Sequence, residues 1–426
     1  LREIGNTVVV VEHDKEMIRL ADHVIDLGPH AGEKGGQLIF SGTFQELLRH
    51  PTSLTAQYLR GEKDAVAAAA GKAPTQQRNR KEIVLSGASE HNLKNITVRI
   101  PLGKLVCVTG VSGSGKSTLI QDILYPALRQ EMGDWQGPIG AFEAIEGARH
   151  LNDVVLMDQS QLSRSSKSVP ATYLKFFDEI RGLFASSAVA RKHRLTASDF
   201  SFNVPGGRCD ACEGDGTIRV GMLFLADVVL ICDSCKGRRY QEKVLDVKVN
   251  DKSIDDVLNM TVSQAMQFFS KQPKILEKLY ILSSVGLEYL RLGQATVTLS
   301  GGEAQRLKLA FHLAQPKRNK VLYIFDEPTI GLHFDDITKL LRCFRKLIDA
   351  DNSVLCIEHN MDIIRASDHL IDLGPEGGDR GGRIVVEGSP QEVSRHPDSI
   401  TGSFLRLELA SLARVETTVD RNANER

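Results

Sequence analysis

The chain has 426 residues, 42% of them apolar and 25% charged. These are the proportions of an ordinary globular protein long enough for two or three domains, so collagen-like, coiled-coil and wholly disordered readings fall away. The 53 Lys and Arg balance 54 Asp and Glu to a net charge of −1, so any nucleic-acid contact has to come from a local basic patch. Apolar runs such as residues 220–231 are short and interrupted by Asp227, well below the roughly 20 residues of a membrane span; no membrane partner is expected. Seven cysteines, an odd and low number, argue for a reducing, cytoplasmic compartment rather than a disulfide framework.

The first feature in chain order is half of an internal repeat. Residues 8–60 realign without a gap on residues 354–406, at a constant offset of 346, with roughly half the positions identical. Glu-His, Asp-His and Leu-Gly-Pro stay in register, which compositional bias would not preserve. The second copy closes a long α/β unit beginning near Ile83, whereas the first has no such unit before it. Residues 1–60 therefore read as the C-terminal remnant of a first domain, 61–82 as an exposed linker, 83–409 as a second domain and 410–426 as a flexible tail.

A β-rich run, Leu105 to Thr109, leads into Gly110-x-x-x-x-Gly115-Lys116-Ser117, and a helical pattern follows from Thr118 to Leu128. Strand, glycine loop and helix are the context that confirms a Walker A phosphate loop. Gly110, Gly113 and Gly115 let the backbone curl inward, with Ser112 and Ser114 between them, and the helix N-terminus at Ser117 and Thr118 adds positive potential. Lys116 is expected to reach the phosphates of ATP and Ser117 to ligate Mg²⁺. Gln159, after the strand-like Val154 to Met157, is placed to sense the metal or the attacking water.

Downstream of Gln159 lies a basic stretch: Arg164, Lys167, Arg181, Arg191, Lys192, His193, Arg194, Arg208, Lys236, Arg238 and Arg239. Such residues commonly form a solvated face, but this cluster is a candidate phosphate-contacting patch for DNA. Tyr173, Phe176 and Phe177 sit at helical spacing and read as core. Cys209-x-x-Cys212 and Cys232-x-x-Cys235, each in a glycine-rich setting, match a closed structural Cys₄ zinc site, one that stabilises a module rather than catalysing. The other three cysteines, Cys107, Cys343 and Cys356, fall in apolar patterns and read as buried.

Ser300-Gly301-Gly302-Glu303 precedes a helical run and could be a plain helix cap. After a Walker A motif it also reads as a signature sequence that contacts nucleotide. A buried-strand pattern, Val321 to Phe325, delivers Asp326 and Glu327. Asp326 is expected to hold Mg²⁺ and Glu327 to polarise the attacking water. A second strand, Ser353 to Ile357, ends in Glu358-His359, and His359 can bond the γ-phosphate.

In this order the motifs resemble the ABC-type ATPases: an α/β fold, a P-loop ATPase domain with an inserted helical and zinc-binding signature domain. The insertion is expected at about residues 130–290, with its zinc module at about 205–240. That resemblance implies nucleotide sandwiched between two such domains, one domain's phosphate loop facing the other's signature. It also assigns Gly331, Leu332, His333 and Asp335 to a loop that crosses the interface.

Longer segments narrow the match: GASEHNLKNITVRIPLGKLVCVTGVSGSGKSTL, FSFNVPGGRCDACEGDG, LGQATVTLSGGEAQRLKLA, LYIFDEPTIGLHFDDI and IDLGPEGGDRGG. Together these resemble the UvrA family of excinuclease damage-recognition ATPases, over nearly all of residues 83–409. The resemblance implies ATP hydrolysis, a homodimer, damaged duplex DNA as partner and transfer of that DNA to a helicase subunit. Nucleotide excision repair is the implied setting, with no nuclease activity expected in this chain itself. The Gln159–Pro170 loop, QSQLSRSSKSVP, departs from the family pattern, but Arg164 and Lys167 keep its two basic positions. Gly221 also departs, at the start of the segment between the cysteine pairs. A UvrA-like paralogue giving resistance to DNA-binding drugs, the motor of a transporter and a zinc scaffold with a degenerate nucleotide site are the rival readings.

Overall fold

A computed structural model describes residues 1–29, 32, 35–69, 81–163, 165–222, 228–315 and 319–410. Two compact units divide the chain, one made of residues 1–158 and 316–426, the other of residues 159–315.

The first unit opens with one repeat copy, an antiparallel hairpin of β1 (Val24–Gly28) and β2 (Gln37–Gly42). Next come β3 (Glu82–Ala88) and β4 (Ile96–Pro101), whose alternating burial marks one face turned to the core. They pair antiparallel, and a short strand β6 (Ala144–Glu146) joins β3 on its other edge.

The main sheet has six strands. Its parallel part is β5 (Leu105–Gly110), β7 (Asp153–Met157), β10 (Val321–Asp326), β11 (Ser353–Ile357) and β12 (His369–Gly374). An antiparallel strand, β13 (Arg383–Gly388), closes one edge, giving the order β13-β12-β5-β11-β10-β7. Every residue of β5 and β11 is buried, as a central parallel strand covered on both faces requires. Val106, Val108, Leu355 and Ile357 face Ile120, Ile123 and Leu124 in the core. The parallel strands send the ends of β5, β10 and β11 to one edge of the sheet, where strand-to-helix loops collect.

Three expectations need correction. The stretch after the phosphate loop is not a uniform α-helix: Thr118–Leu124 is a π-helical segment and α-helix follows at Tyr125–Glu131. Part of the supposed exposed linker is ordered. Residues Ala65–Ala69 form a helix with Ala65 and Ala69 buried, and the carboxylate of Asp64 pairs with Arg365 at 2.6 Å. Alanine favours helix, and the small side chains pack against the helix Phe334–Asp349. Residues 70–80 and 411–426 lie outside the described residues. Lastly, the second unit begins at Gln159 and runs to Gln315, later than the inserted segment read from the sequence. The reason is that β6 and β7 are recruited into the sheets of the first unit, and the helix after the signature goes with the second.

In that second unit, β8 (Thr217–Val220) and β9 (Val228–Ile231) form a hairpin between the two cysteine pairs. Nearly every residue of the hairpin is exposed, and helices make up much of the rest of the unit, the longest being Pro273–Ser284 and Gly301–Leu313. Phe176 and Phe177 are core residues as expected, whereas Tyr173 is half-buried.

Candidate nucleotide and zinc sites

β5 ends at Gly110, where φ is +130° and a Cβ would lie 2.0 Å from the carbonyl oxygen of Leu373. Only glycine fits there, so the loop can leave the strand tightly. Lys116 folds back over this loop, its ammonium bonding the carbonyls of Gly110 and Val111 at 2.9 Å each. These are neutral acceptors, and the ammonium has no ion-pair partner among the described residues. Burial pulls the Lys116 ammonium below its ordinary pKa, opposed by the nearby carboxylates of Glu327, Asp372 and Asp326. Ser114 is fully buried and its hydroxyl finds no hydrogen-bond partner among the described residues. An inward-curling glycine loop, an unpaired ammonium and an orphaned buried hydroxyl fit a polyphosphate.

Across the sheet edge, Asp326 ends β10 and accepts a hydrogen bond from Gln121 Nε2 at 2.6 Å. Burial, then the neighbouring Glu327, pushes the Asp326 carboxyl up. A divalent cation held beside Asp326 and Glu327 would offset that like-charge repulsion. Glu327 takes a left-handed backbone conformation with φ 44°, and its N–H donates to Ile357 O at 3.0 Å. That pins the turn to β11. His359, at the end of β11, brings Nε2 to 3.7 Å from Glu327 Oε1, close but beyond a hydrogen bond. Burial, followed by the Lys116 charge, pulls the His359 imidazole down and favours its neutral form at pH 7.

Glu358, beside it, is buried and accepts backbone N–H bonds from Thr329, His359 and Asn360. It ties the two strand-end turns together. Lys116, Asp326, Glu327 and His359, spread over 244 residues of chain, therefore converge on one sheet edge. Ser117 starts the helix after the loop and Thr118 opens its π-helical stretch.

Sequence reading missed the supports of this site. Asn92 Nδ2 donates to the carbonyls of Gly113 and Gly378 at 2.9 and 3.0 Å. The N–H groups of Gly378 and Gly382 donate to Gly113 and Ser114. A Cβ on Gly377 would sit 2.5 Å from Ser112 O, so the glycine-rich segment after β12 must lie flat on the phosphate loop. The signal was present in the sequence as the Gly-Gly-x-x-Gly-Gly run at 377–382, but nothing local says what it touches. Gln121 carried no motif at all.

The loop after β10 meets the first repeat copy. Thr55 Oγ1 lies 3.2 Å from His333 Nε2, and Tyr58 OH donates to Asp335 at 3.2 Å. The His13 and His333 rings pack edge to face, 6.0 Å apart.

In the second unit, Ser300 caps the helix Gly301–Leu313. Its hydroxyl accepts from Glu303 N–H at 3.3 Å, and Glu303 Oε2 accepts from Ser300 N–H at 2.9 Å. Tyr289 OH donates to the other Glu303 oxygen at 2.8 Å. Gln159 packs on Gly301, where a Cβ would come within 2.9 Å of its side-chain oxygen. Gly302 is the second glycine of that first turn, and its carbonyl accepts from Arg306. These residues belong to the unit separate from the phosphate loop.

Cys209, Cys212, Cys232 and Cys235 are buried, with all four sulfurs within 4.8 Å of one another. The Sγ–Sγ distances Cys209–Cys232 and Cys212–Cys235 are 4.0 and 3.6 Å, bracketing the roughly 3.8 Å edge of a tetrahedron with 2.3 Å Zn–S bonds. Gly216 N–H donates to Cys212 Sγ at 3.2 Å. Burial pushes the Cys209 thiol up, but the N–H groups of Cys212 and Ala211 outweigh it and bring the thiol to about 7. Burial instead pushes the Cys212 and Cys235 thiols up; four cysteine sulfurs at these distances suit zinc and leave no open coordination position.

Part of the basic stretch is neutralised locally. Arg181 pairs with Asp178, Arg208 with Glu213, Lys236 with Asp233 and Arg238 with Glu242. Arg239 is largely buried, its guanidinium 5.1 Å from the Phe202 ring. Lys167, Arg191, Lys192 and Arg194 have no carboxylate partner among the described residues; Arg191, Lys192 and Arg194 are exposed around the helix Ala188–Lys192. Arg164 lies outside the described residues. Among the described residues no helix is long and apolar enough to cross a membrane.

A parallel sheet with a Walker loop, two strand-end acidic residues and a signature helix in an inserted unit defines an ABC-type nucleotide-binding ATPase domain. No protein-family model matches the chain. UvrABC system protein A of Thermus thermophilus is 51% identical over 422 residues, 99% of this chain and 44% of the relative. Its counterpart in Aquifex aeolicus is 51% identical over 409 residues, covering 96% and 44%. The crystal structure of UvrA2 from Deinococcus radiodurans superposes with a TM-score of 0.86 at 42% identity, covering 95% of this chain and 48% of that one. The chain belongs to the UvrA family and spans less than half the length of the curated relatives it matches.

Proposed function

We propose that the chain is the ATP-consuming, DNA-gripping half of a damage-recognition protein of nucleotide excision repair. The observation that carries this reading is the convergence of Lys116, Asp326, Glu327 and His359 on one sheet edge, in a chain that also holds a four-cysteine module and unpaired cations. In this reading Gly110–Thr118 cradle the phosphates of ATP, with Lys116 on the terminal ones. Ser117 and Asp326 hold Mg²⁺, which screens phosphate charge and orients the γ-phosphate. Glu327 orients water and takes its proton, and His359 holds a γ-phosphate oxygen. Gln159 senses the metal or the attacking water, and Ser300–Glu303 face the nucleotide of a paired domain. That pairing makes the working form a dimer, and the contact of His333 and Asp335 with the first repeat copy supports a loop built to meet another domain.

Zinc held by Cys209, Cys212, Cys232 and Cys235 pins the second unit, whose Lys167, Arg191, Lys192 and Arg194, with Arg164, contact the backbone of damaged duplex DNA. Such contacts read shape and deformability rather than base identity. A helicase subunit as recipient of that DNA, and a cytoplasmic location, belong to the same proposal.

The test is phosphate release and MgATP binding by wild type, Glu327→Gln and Lys116→Ala. Glu327→Gln is expected to keep nucleotide affinity and lose turnover by roughly a hundredfold or more. Turnover by Glu327→Gln equal to wild type would remove the assigned mechanism. For the metal, Cys209→Ser should lower bound zinc by elemental analysis; full occupancy in that variant would contradict the cysteine cluster as its site.

A further inference from the structure

The second unit contains a solvent-open cavity of about 600 Å³, whose lining includes Lys167, Ser168, Tyr173, Lys175, Asn203 and Phe311. Four features give it a chemical character. Two ammonium groups border it, and neither has a carboxylate partner among the described residues. The side chains of Ser168 and Asn203 make no hydrogen bond among the described residues, so they remain open to a ligand. The Tyr173 and Phe311 rings meet 5.2 Å apart to form an aromatic wall. Lys175 stands with its ammonium 5.8 Å from the centre of the Phe311 ring, so cation and π-face are presented together. Lys175 does so from a left-handed backbone conformation, φ 61°. A side chain there is strained, and such positions persist where the surrounding structure holds them.

Phosphate groups are bound by unpaired lysines with hydroxyl and amide donors. A phosphate alone leaves most of this volume empty, since clefts of roughly 300–1,000 Å³ take whole small ligands. Aromatic faces beside a cationic rim are how proteins hold single bases against the backbone they belong to. A base inside an intact duplex cannot reach such a wall; one that has left the stack can.

We infer that this cavity seats one unstacked nucleotide of a distorted duplex, its phosphate between Lys167 and Lys175 and its base against Tyr173 and Phe311. The inference rests on the proposed DNA-binding role of the unit and adds a contact that distinguishes deformed from regular DNA. The discrimination arises because weakened pairing lowers the cost of moving a base out of the helix, and the cavity rewards only the base that has moved.

The experiment uses two fluorescein-labelled duplexes of equal length, one fully paired and one with a single unpaired 2-aminopurine, titrated with the full chain, Lys175→Gln and Phe311→Leu. Zinc content and circular dichroism of each variant check folding. Wild type is expected to bind the unpaired duplex more tightly and to change 2-aminopurine emission. Lys175→Gln should weaken that complex about tenfold, with a change of under about twofold for the paired duplex. Phe311→Leu should remove most of the emission change. Equal losses on both duplexes would overturn the inference by reducing Lys175 to a general backbone contact, and unchanged affinity and emission in both variants would overturn it outright. Either outcome leaves the DNA-binding reading standing. A wild-type chain that binds neither duplex would overturn that reading as well.

Discussion

The two repeat copies share a local fold and differ in what surrounds them. In each, a short helix is capped by the side chain of the residue just before it: Asp14 accepts from Glu16 and Met17 N–H, and Asn360 from Asp362 and Ile363 N–H. Each continues into a hairpin with an irregularity at the same place, between Asp26 and Leu27 or between Asp372 and Leu373. Each has an aspartate that accepts bonds from a Ser and a Thr downstream: Asp26 from Ser53 and Thr55, Asp372 from Ser399 and Thr401. Beyond this the copies part. Val354 to Ile357 lie in β11, buried between β5 and β10, whereas the matching Val8 to Val11 form no strand and are 50% to 91% exposed. Turns, caps and the aspartate knot are local and form in both settings. A parallel strand forms only where neighbouring strands satisfy its backbone.

Four predictions press on this difference. The largest effect separates the copy that has a phosphate loop beside it from the one that does not. Lys116→Ala should lower ATP turnover roughly 10³-fold, measured as phosphate release, and residual turnover near the wild-type rate would place the active loop elsewhere. Next is the aspartate knot. Asp372 is buried and also accepts from Thr109 at 2.7 Å, so Asp372→Ala leaves three hydroxyls orphaned and should destabilise by roughly 3–5 kcal/mol. Asp26→Ala, which releases two hydroxyls at a half-buried site, should cost about 1–2 kcal/mol in urea melts. Equal losses would mean the surroundings do not matter.

The third compares histidines. His359→Ala should slow turnover by roughly a hundredfold, while His13→Ala, whose ring packs on His333 rather than near Lys116, should change it less than about twofold. Comparable losses would show that the first copy shares the chemistry. The smallest is Tyr58→Phe, which removes the hydrogen bond to Asp335 and should destabilise by about 1 kcal/mol.

What could be read from the sequence follows the same division. Gly110, Lys116, Asp326, Glu327 and His359 were legible because phosphate chemistry demands those residue types at strand ends, and the four cysteines because zinc demands their spacing. Asn92, Gln121 and Gly377–Gly382 were not, since their roles depend on contacts between segments far apart in the chain. The helix at Ala65–Ala69 was hidden for the same reason: its composition suits a linker as well as a helix, and only the facing helix decides between them. Within the basic stretch, local composition does not distinguish Arg181, Arg208, Lys236 and Arg238, which pair with Asp178, Glu213, Asp233 and Glu242, from Lys167, Arg191, Lys192 and Arg194, which have no such partner among the described residues.

The central claim is that the state of the sheet-edge site governs the hold of the second unit on DNA. The direct test is the affinity of the chain for a damaged duplex at several salt concentrations, with and without MgATP, in wild type and Lys116→Ala. The account predicts a nucleotide-dependent change in affinity of about fivefold or more that vanishes in Lys116→Ala, with the salt slope of nucleotide-free binding unchanged. Affinity indifferent to nucleotide in wild type, or equally responsive in Lys116→Ala, would contradict it.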